Sequence, residues 1–570
     1  MRTNRRQRCA ARRHFATWRR CRHGASHGLS AAAVPRGTRF AAVALSVGAV
    51  AVILAALPFK AFDLDRFFVP KELVLHVVAL AAALPLLAAA TRLRLTRVDM
   101  LLVAYLALSG LSAIFAGNWW LAGRALAISL STAAVFWSAR AAAQAGIQRV
   151  LLAALALAVV LAALTALLQA YGVDSVYISL NRAPGGTLGN RNFVAHIAVI
   201  GLPLLLLCAL RARAGAGGVL GALGVMLVAA TLVLSRSRAA WLALMVSAAL
   251  ALSALLIWRR QWRGAALGSR ARWIAVGALV GAALAIWLPN TLNWRSDSPY
   301  LDSMRGVVNY QEGSGHGRVL QYENTLRMAL AHPLLGVGTG NWSVRYPDFA
   351  RGTDPSLDDD DGMTANPWPS SDWMAVVAER GIPALFCLAL VFLGIAVNAG
   401  TALYRARNAA ELLPPLALLL ALAAAVVVGA FDAVVLLPAS ALLLWALLGA
   451  LLGTLQPPAA MRAAITLDGR RRGWLVGVMA ALGALVIAHS VAQIAAMTAY
   501  DPDGHVADMI RAARYDPGSY RIQIRLAEVY AARGRCDMVR RYGQNARELY
   551  PAAPEPRRLL RRCGVRERRP

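Results

Sequence analysis

Long apolar runs dominate this sequence and leave few folds open to it. The runs are about 17–22 residues long and recur from Phe40 to Ser490. Because an α-helix rises 1.5 Å per residue, each run can cross a hydrocarbon core of about 30 Å. A soluble chain of 570 residues with 58% hydrophobic content would lack the polar surface that it needs. The sequence therefore predicts an all-α fold, a polytopic transmembrane bundle of about 12–13 helices. Approximate spans are 40–57, 73–90, 99–116, 121–138, 150–170, 193–210, 218–234, 239–258, 273–289, 382–402, 413–430, 434–454 and 474–493.

The distribution of positive charge predicts the topology of the bundle. The net charge is +31, and residues 1–40 contain eleven arginines and no acidic residue. The other Arg-rich loops fall on alternate sides of successive spans, as the positive-inside rule requires for one cytoplasmic face. The sequence thus predicts a cytoplasmic N-terminus and, after thirteen spans, a C-terminus on the opposite side, which is periplasmic or extracellular. Charge of this kind orients a membrane protein, so no nucleic-acid partner is expected.

Composition divides the chain into five segments. Residues 1–39 form a basic tail, residues 40–289 carry the first nine spans, and residues 290–381 form one long polar loop on the periplasmic side. Spans ten to thirteen occupy residues 382–493, and residues 494–570 are soluble in composition.

The soluble tail resembles a tetratricopeptide-type helical hairpin. Pro517 and Pro551 are 34 residues apart, which is the repeat length of that family, and Gly534 stands at the expected turn. A single repeat cannot bury its own apolar face, so the tail is a candidate docking site for a protein partner. Cys536 and Cys563 form the only cysteine pair on the oxidising side, which predicts a disulfide between them.

Basic residues in the outer loops run against the positive-inside bias and call for another explanation. Lys71, Arg191, Arg238 and Arg318 stand there among Gly, Asn, Ser and Pro. Arginine presents a planar fork of donors that matches phosphate oxygens in a bidentate way. Each arginine alone could merely reach up to lipid headgroups, but three converging at a membrane surface favour a site for a lipid pyrophosphate.

These segments resemble the O-antigen ligase superfamily, which includes O-antigen ligases, O-antigen polymerases and bacterial O-oligosaccharyltransferases. The resemblance runs from about residue 40 to residue 455. It rests on the order of five pieces: Pro70-Lys71, GNRNF at 189–193, LSRSRAAWLAL at 234–244, the Arg318 segment leading into HPLLGVGTGNW at 332–342, and SSDWMAVVAERG at 370–381.

The resemblance implies a GT-C-like, metal-independent glycosyltransferase that uses no cofactor. Such enzymes move a glycan from an undecaprenyl diphosphate carrier to an acceptor at the outer face of the inner membrane, with inversion at the anomeric carbon. The acceptor classes are lipid A-core, a growing polysaccharide or a protein, and membrane lipids surround the enzyme. Arg238 and Arg318 would bind the pyrophosphate, with Arg191 and Lys71 in support.

The chain departs from the family pattern at one important position. Relatives usually carry a His before the Glu-x-Gly turn, and that His is the family's candidate for activating the acceptor hydroxyl. Here the stretch begins Ser370-Ser371. Asp372, His316 and Glu323 are the candidate substitutes, because a carboxylate or an imidazole can deprotonate a hydroxyl held within about 3 Å.

Two other functions remain open. A transporter or flippase of an anionic lipid or sugar would place charged groups at the bilayer midplane, whereas charges inside the spans are few in this chain. A catalytically silent scaffold would explain the missing His. The acidic run at 358–361 fails the spacing of a calcium-binding EF-hand and predicts a solvated loop, and no metal site is expected.

Overall fold

The computed structural model describes residues 34–60, 65–173, 175–178, 183–212, 215–262, 268–294, 298–305, 313–350, 354–357, 363–364, 366–456, 463–501 and 504–565. Most of the predicted basic tail and the whole acidic run at 358–361 lie outside these residues. Thirteen helices in the described part are long and apolar enough to cross a membrane. The predicted all-α, multi-pass fold is therefore confirmed.

The helices are numbered in chain order. They are α1 (Arg36–Leu54), α2 (Val69–Ala89), α3 (Arg97–Ile114), α4 (Trp119–Gln144), α5 (Gln148–Ala170), α6 (Arg191–Arg211), α7 (Ala216–Ser235), α8 (Arg238–Ile257), α9 (Arg259–Trp262), α10 (Gly268–Trp287), α11 (Pro299–Arg305), α12 (Gly313–Ala331), α13 (Trp342–Arg345), α14 (Asp372–Arg405), α15 (Ala409–Gly429), α16 (Pro438–Leu455), α17 (Gly469–Ala499), α18 (Val506–Tyr515), α19 (Tyr520–Ala532), α20 (Cys536–Leu549) and α21 (Pro554–Arg562). The described strands are β1 (Arg92–Leu95) and β2 (Ala463–Thr466).

Helix α16 forms the centre of the bundle, since 89% of its apolar window is buried. Its glycines allow close packing on α4, because a Cβ at Gly449 would come within 2.3 Å of the Phe136 carbonyl oxygen. Small residues serve helix association in lipid because they let backbones approach each other. Helix α17 is peripheral, with only 6% of its window buried.

The two strands mark one end of the bundle. Strand β1 lies between α2 and α3, and it pairs antiparallel with β2, which precedes α17. We call this the inner end. The opposite end, which carries the C-terminal helices and the described residues between α10 and α14, is the outer end.

Helix α14 begins ten residues before the span predicted at 382–402. Its first turns, from Asp372, are separated from the span by a break at Gly381, whose φ of 84° lies in the left-handed region. A Cβ at this position would approach the Leu334 carbonyl oxygen to 2.2 Å, so glycine is required there. The break lets residues 332–342 wrap around the helix, and the Glu379 carboxylate accepts a 2.9 Å hydrogen bond from the Gly340 N–H.

The C-terminal helices α18–α21 pack into a small unit at the outer end. The predicted disulfide is confirmed, because Cys536 and Cys563 are bonded and join the start of α20 to the end of α21. Gly534 makes the turn between α19 and α20 with φ 69°. The hairpin therefore has the predicted layout, while its assignment to the tetratricopeptide family stays a prediction.

The C-terminal unit contacts the membrane bundle and the long loop directly. The Asn118 side-chain amide donates to the Leu549 carbonyl over 3.1 Å. The hydroxyls of Ser343 and Tyr550 lie 3.3 Å apart. The long loop and the C-terminal unit thus share the outer end.

Candidate functional site

Polar side chains from two helices and one short link lie at the outer end, near the start of α6. The set consists of Asn192, His196, Arg318, Tyr322 and Asp432, and we call it the outer cluster. Asn192 and His196 belong to α6, and Arg318 and Tyr322 belong to α12. Asp432 follows the end of α15.

A glycine-rich turn places the start of α6. The side chain of Asn190 caps the helix by accepting from the Asn192 N–H over 2.9 Å. Gly189 has φ 80°, and a Cβ there would meet the Phe67 ring at 2.5 Å. This turn is the reason that Arg191 and Asn192 stand at the outer surface rather than inside the bundle.

Lys71 supports that turn from beneath. Its side chain is buried, and its ammonium donates to the Thr187 carbonyl over 2.8 Å and to the Phe67 carbonyl over 2.7 Å. Lys71 therefore fixes the loop that carries Arg191. The structure supports a positioning role for Lys71 within the predicted pyrophosphate-binding set.

Asp432 is a half-buried carboxylate beside α6. One of its oxygens lies 3.5 Å from the side-chain nitrogen of Asn192, and the other accepts from the Ala433 N–H over 2.9 Å. Asp432 also interacts electrostatically with His196 and with Asp372. It is thus a carboxylate at the outer surface with other titratable groups around it.

Asp372 stabilises the link between α15 and α16, which contains Asp432. It is fully buried, and one carboxylate oxygen accepts from the N–H groups of Val434 and Val435 over 2.8 and 2.9 Å. Gly429 lies so close that a Cβ there would be 3.0 Å from this oxygen. The structure places Asp372, a predicted catalytic candidate, where it shapes the link between α15 and α16 rather than where a substrate could reach it.

Helix α12 brings Arg318 to the same place. Arg318 is half-buried, and its charge acts on the imidazole of His196. One turn further on, the Tyr322 hydroxyl lies 2.7 Å from the carbonyl oxygens of both Ser370 and Ala430. Tyr322 therefore ties α12 to the start of α14 and to the end of α15, on either side of the outer cluster.

His196 lies one turn below Asn192 on α6. Its imidazole is buried, and neither ring nitrogen has a hydrogen-bond partner among the described residues. Arg318 and Asp432 both act on it electrostatically. A buried imidazole without a partner is costly, and such groups often mark functional sites.

The other two catalytic candidates point elsewhere. Glu323 is paired with Arg327 one turn along α12, and its side chain is 54% exposed. His316 is exposed on the first part of α12. The structure does not bring either side chain into the outer cluster, and their catalytic role stays a prediction.

Ser370 and Ser371 occupy the position of the family His and serve the backbone. The Ser371 hydroxyl donates to the Gly429 carbonyl over 3.1 Å and caps α14. The Ser370 N–H donates to the side-chain oxygen of Gln321 over 2.6 Å. A serine hydroxyl is a far weaker base than an imidazole, so neither serine can take the role that the resemblance implies for that His.

The link between α7 and α8 holds a second basic pair. Arg238 begins α8 and is half-buried. Arg236 adopts a left-handed conformation with φ 52°, and its guanidinium lies 4.6 Å from the centroid of the Trp294 ring. The same guanidinium donates to the Ser303 hydroxyl over 2.8 Å, and burial lowers the pKa of Arg236. Arg236 thereby anchors the segment that follows α10.

A large apolar cavity of about 970 Å³ opens below this link. It lies among α6, α7, α8 and α10, and Met304 of α11 stands at its outer end. Its walls are aliphatic side chains with one tryptophan, Trp241. The cavity has the size and lining of a lipid-tail site.

Part of the chain is similar to a known protein family. Residues 222–389 match the family model described as O-antigen ligase, a region that includes Arg238, Arg318 and the 332–342 loop. The predicted resemblance to the O-antigen ligase superfamily is confirmed. The chain is a multi-pass membrane protein by its apolar helices, and its likeness to the O-antigen ligase family covers residues 222–389. A comparison with curated proteins found no match.

Among the described residues, the side chains of His, Cys, Asp and Glu form no group of three or more that could hold a metal ion. Metal independence remains an implication of the family resemblance.

Proposed function

We propose that this protein transfers a glycan from undecaprenyl diphosphate to an acceptor hydroxyl at the outer end of the bundle. The observation that carries the proposal is that Arg318 and Asp432 both act electrostatically on His196, while Tyr322, one turn after Arg318, contacts Ala430, two residues before Asp432. An arginine that can hold a leaving diphosphate and a carboxylate that can take up a proton then stand on one surface. Arg318 also lies inside the region that matches the O-antigen ligase family.

The arginines of the outer end would hold the donor headgroup. Arg318, Arg238 and Arg191 stand at or near the first turns of α12, α8 and α6, all at the membrane surface. Their guanidinium forks suit diphosphate oxygens, and a partly dehydrated surface strengthens the attraction relative to water. Lys71 contributes by holding the turn that carries Arg191.

The apolar cavity would hold part of the donor's isoprenoid chain. It begins beneath Arg236 and Arg238, and Val233 and Trp241 on either side of them line it. A lipid with an anionic headgroup could therefore place its diphosphate at the arginines and its first isoprene units in the cavity. This arrangement supports a lipid-linked donor over a soluble sugar nucleotide.

In the proposed reaction, Asp432 acts as the general base. The acceptor oxygen attacks the anomeric carbon, and its proton passes to the Asp432 carboxylate. The bond between the anomeric carbon and the phosphate oxygen breaks, and its electron pair leaves with the diphosphate, which the arginines stabilise. Attack opposite to the leaving group inverts the anomeric centre. Asp372 would position Asp432 through the link between α15 and α16.

The reaction would take place on the periplasmic face of the bacterial inner membrane. The inner end would be cytoplasmic, because loops there carry most of the arginines that set topology. The C-terminal unit would then lie in an oxidising compartment, in keeping with the disulfide between Cys536 and Cys563. Lipid A-core, a growing polysaccharide and a protein are the candidate acceptors, and the C-terminal unit is a candidate contact for a protein partner.

Two specific observations bear on the alternatives. A transporter would carry polar groups at mid-membrane, whereas the polar clusters described above lie at the outer end. The buried Glu72–Arg124 pair is also at that end, since Arg124 stands near the start of α4. The serines at the usual His position favour a catalytically silent scaffold. In the proposed reaction, Asp432 takes the role of that His, so that activity is retained.

Deletion of the gene, with the cell-surface glycans resolved on a gel, tests the proposed function. We expect loss of glycan attachment, loss of long glycan chains or loss of a glycoprotein, according to the acceptor class. Complementation with the intact gene should restore the wild-type pattern. An unchanged glycan and glycoprotein pattern in the deletion strain would contradict the proposal.

A further inference from the structure

Three aromatic rings cluster beside the outer cluster and have no role in the proposed reaction. Trp368, from the segment before α14, lies 4.8 Å from Phe68 and 6.4 Å from Phe193 between ring centroids. Phe68 and Phe193 are themselves 6.4 Å apart. All three side chains are partly exposed rather than buried. We call them the aromatic platform.

The platform adjoins the residues that are proposed to act on the donor. Phe193 directly follows Asn192, whose side chain reaches Asp432 over 3.5 Å. Phe68 lies three residues before Lys71, which supports the turn carrying Arg191. The rings therefore lie next to residues of the proposed site.

The segment that carries Trp368 is fastened on its C-terminal side. The Ser370 N–H donates to Gln321 over 2.6 Å, and the Ser370 carbonyl lies 2.7 Å from the Tyr322 hydroxyl. Both contacts come from α12, the helix that carries Arg318. The segment that carries Trp368 is thus connected to the helix that carries Arg318.

We propose that the aromatic platform, with Trp368 as its main ring, stacks on the sugar that is bonded directly to the donor diphosphate. This inference rests on the proposed function. A sugar ring presents C–H groups on one face, and burying that face on an aromatic ring is favourable. The platform lies near the proposed diphosphate contacts. Only the sugar bonded directly to the diphosphate must lie there, so that sugar is the expected occupant.

The consequence is that Trp368 distinguishes a glycosylated donor from the bare carrier. The arginines recognise the diphosphate, which both lipids share. The platform recognises only the sugar. A loss of Trp368 should therefore weaken binding of the loaded donor and leave binding of the spent carrier unchanged.

The test measures binding of two lipids to purified protein in nanodiscs: undecaprenyl diphosphate bearing one sugar, and undecaprenyl diphosphate itself. For Trp368→Ala we expect an affinity for the glycosylated lipid that is about tenfold lower, with the affinity for the bare lipid unchanged. Trp368→Tyr keeps a ring and should retain most of the preference. Trp287→Ala removes a tryptophan that is 82% exposed at the end of α10 and serves as the matched control.

The outcomes separate the platform from the proposed function. If Trp368→Ala lowers the affinity for both lipids by the same factor, or changes neither affinity, the proposed role of the platform is wrong. The proposed diphosphate site is unaffected by that result. If wild-type protein binds neither lipid, the proposed function fails instead. A Trp368→Tyr variant as weak as Trp368→Ala would also contradict stacking, because the tyrosine ring supplies a comparable face.

Discussion

Arg318→Lys is expected to leave the protein folded and inserted but to reduce glycan transfer by about 10²–10³, or about 2–4 kcal/mol of transition-state stabilisation. The negative charge on the leaving diphosphate grows as the glycosidic bond breaks. A guanidinium can hold two of its oxygens at once, whereas an ammonium supplies a point charge without a fork. The measurement is the rate of transfer from a synthetic lipid diphosphate donor by purified variants.

Arg259→Lys is the matched control for this substitution. Arg259 is exposed at the inner end, where it begins α9, and it takes no part in the proposed site. Its replacement should change the rate little. A wild-type rate for Arg318→Lys would show that Arg318 does not bind the leaving group.

Asp432→Asn is expected to lower transfer by about 10²–10⁴ without changing the affinity for the lipid donor. The amide keeps the shape of the side chain and can still contact Asn192, but it cannot accept the proton of the attacking hydroxyl. The expected signature is therefore a fall in kcat with donor KM nearly constant. Steady-state kinetics with a fixed acceptor concentration measures both quantities.

Two further variants keep this prediction specific. Asp348→Asn alters a carboxylate that is 42% exposed in a pair with Arg345, so it should change neither the rate nor the stability much. Asp372→Asn should lower the thermal stability, since its carboxylate accepts from two buried N–H groups. Full activity of Asp432→Asn would remove Asp432 as the base and return the role to His316 or Glu323.

The parts of the fold that hydropathy and charge govern could be predicted from the sequence. All thirteen predicted spans correspond to helices, because the length of an apolar run is set by the thickness of the bilayer. The disulfide could also be predicted, because only two cysteines fall on the same outer side. The early start of α14 could not, since the break at Gly381 depends on how the 332–342 loop packs against it.

The candidate site was predicted less completely, because its members are distant in sequence. Arg318 is a member of the outer cluster and Arg191 directly precedes Asn192, but Asp432 lies in a short link outside the recognised motifs. A signal for it existed: Asp432 is a lone acidic residue between two apolar spans at the outer end. His196 looked like an ordinary polar residue inside a span, and only its burial without a partner distinguishes it.

Glycan transfer by the purified wild-type protein is the most direct test of the account. The assay would supply undecaprenyl diphosphate bearing a short glycan, each candidate acceptor in turn, and EDTA to remove divalent metal ions. The account predicts that glycan appears on one acceptor and that undecaprenyl diphosphate is released in equal amount with EDTA present. Absence of transfer to every acceptor, under conditions in which a family member with the usual His is active, would contradict it.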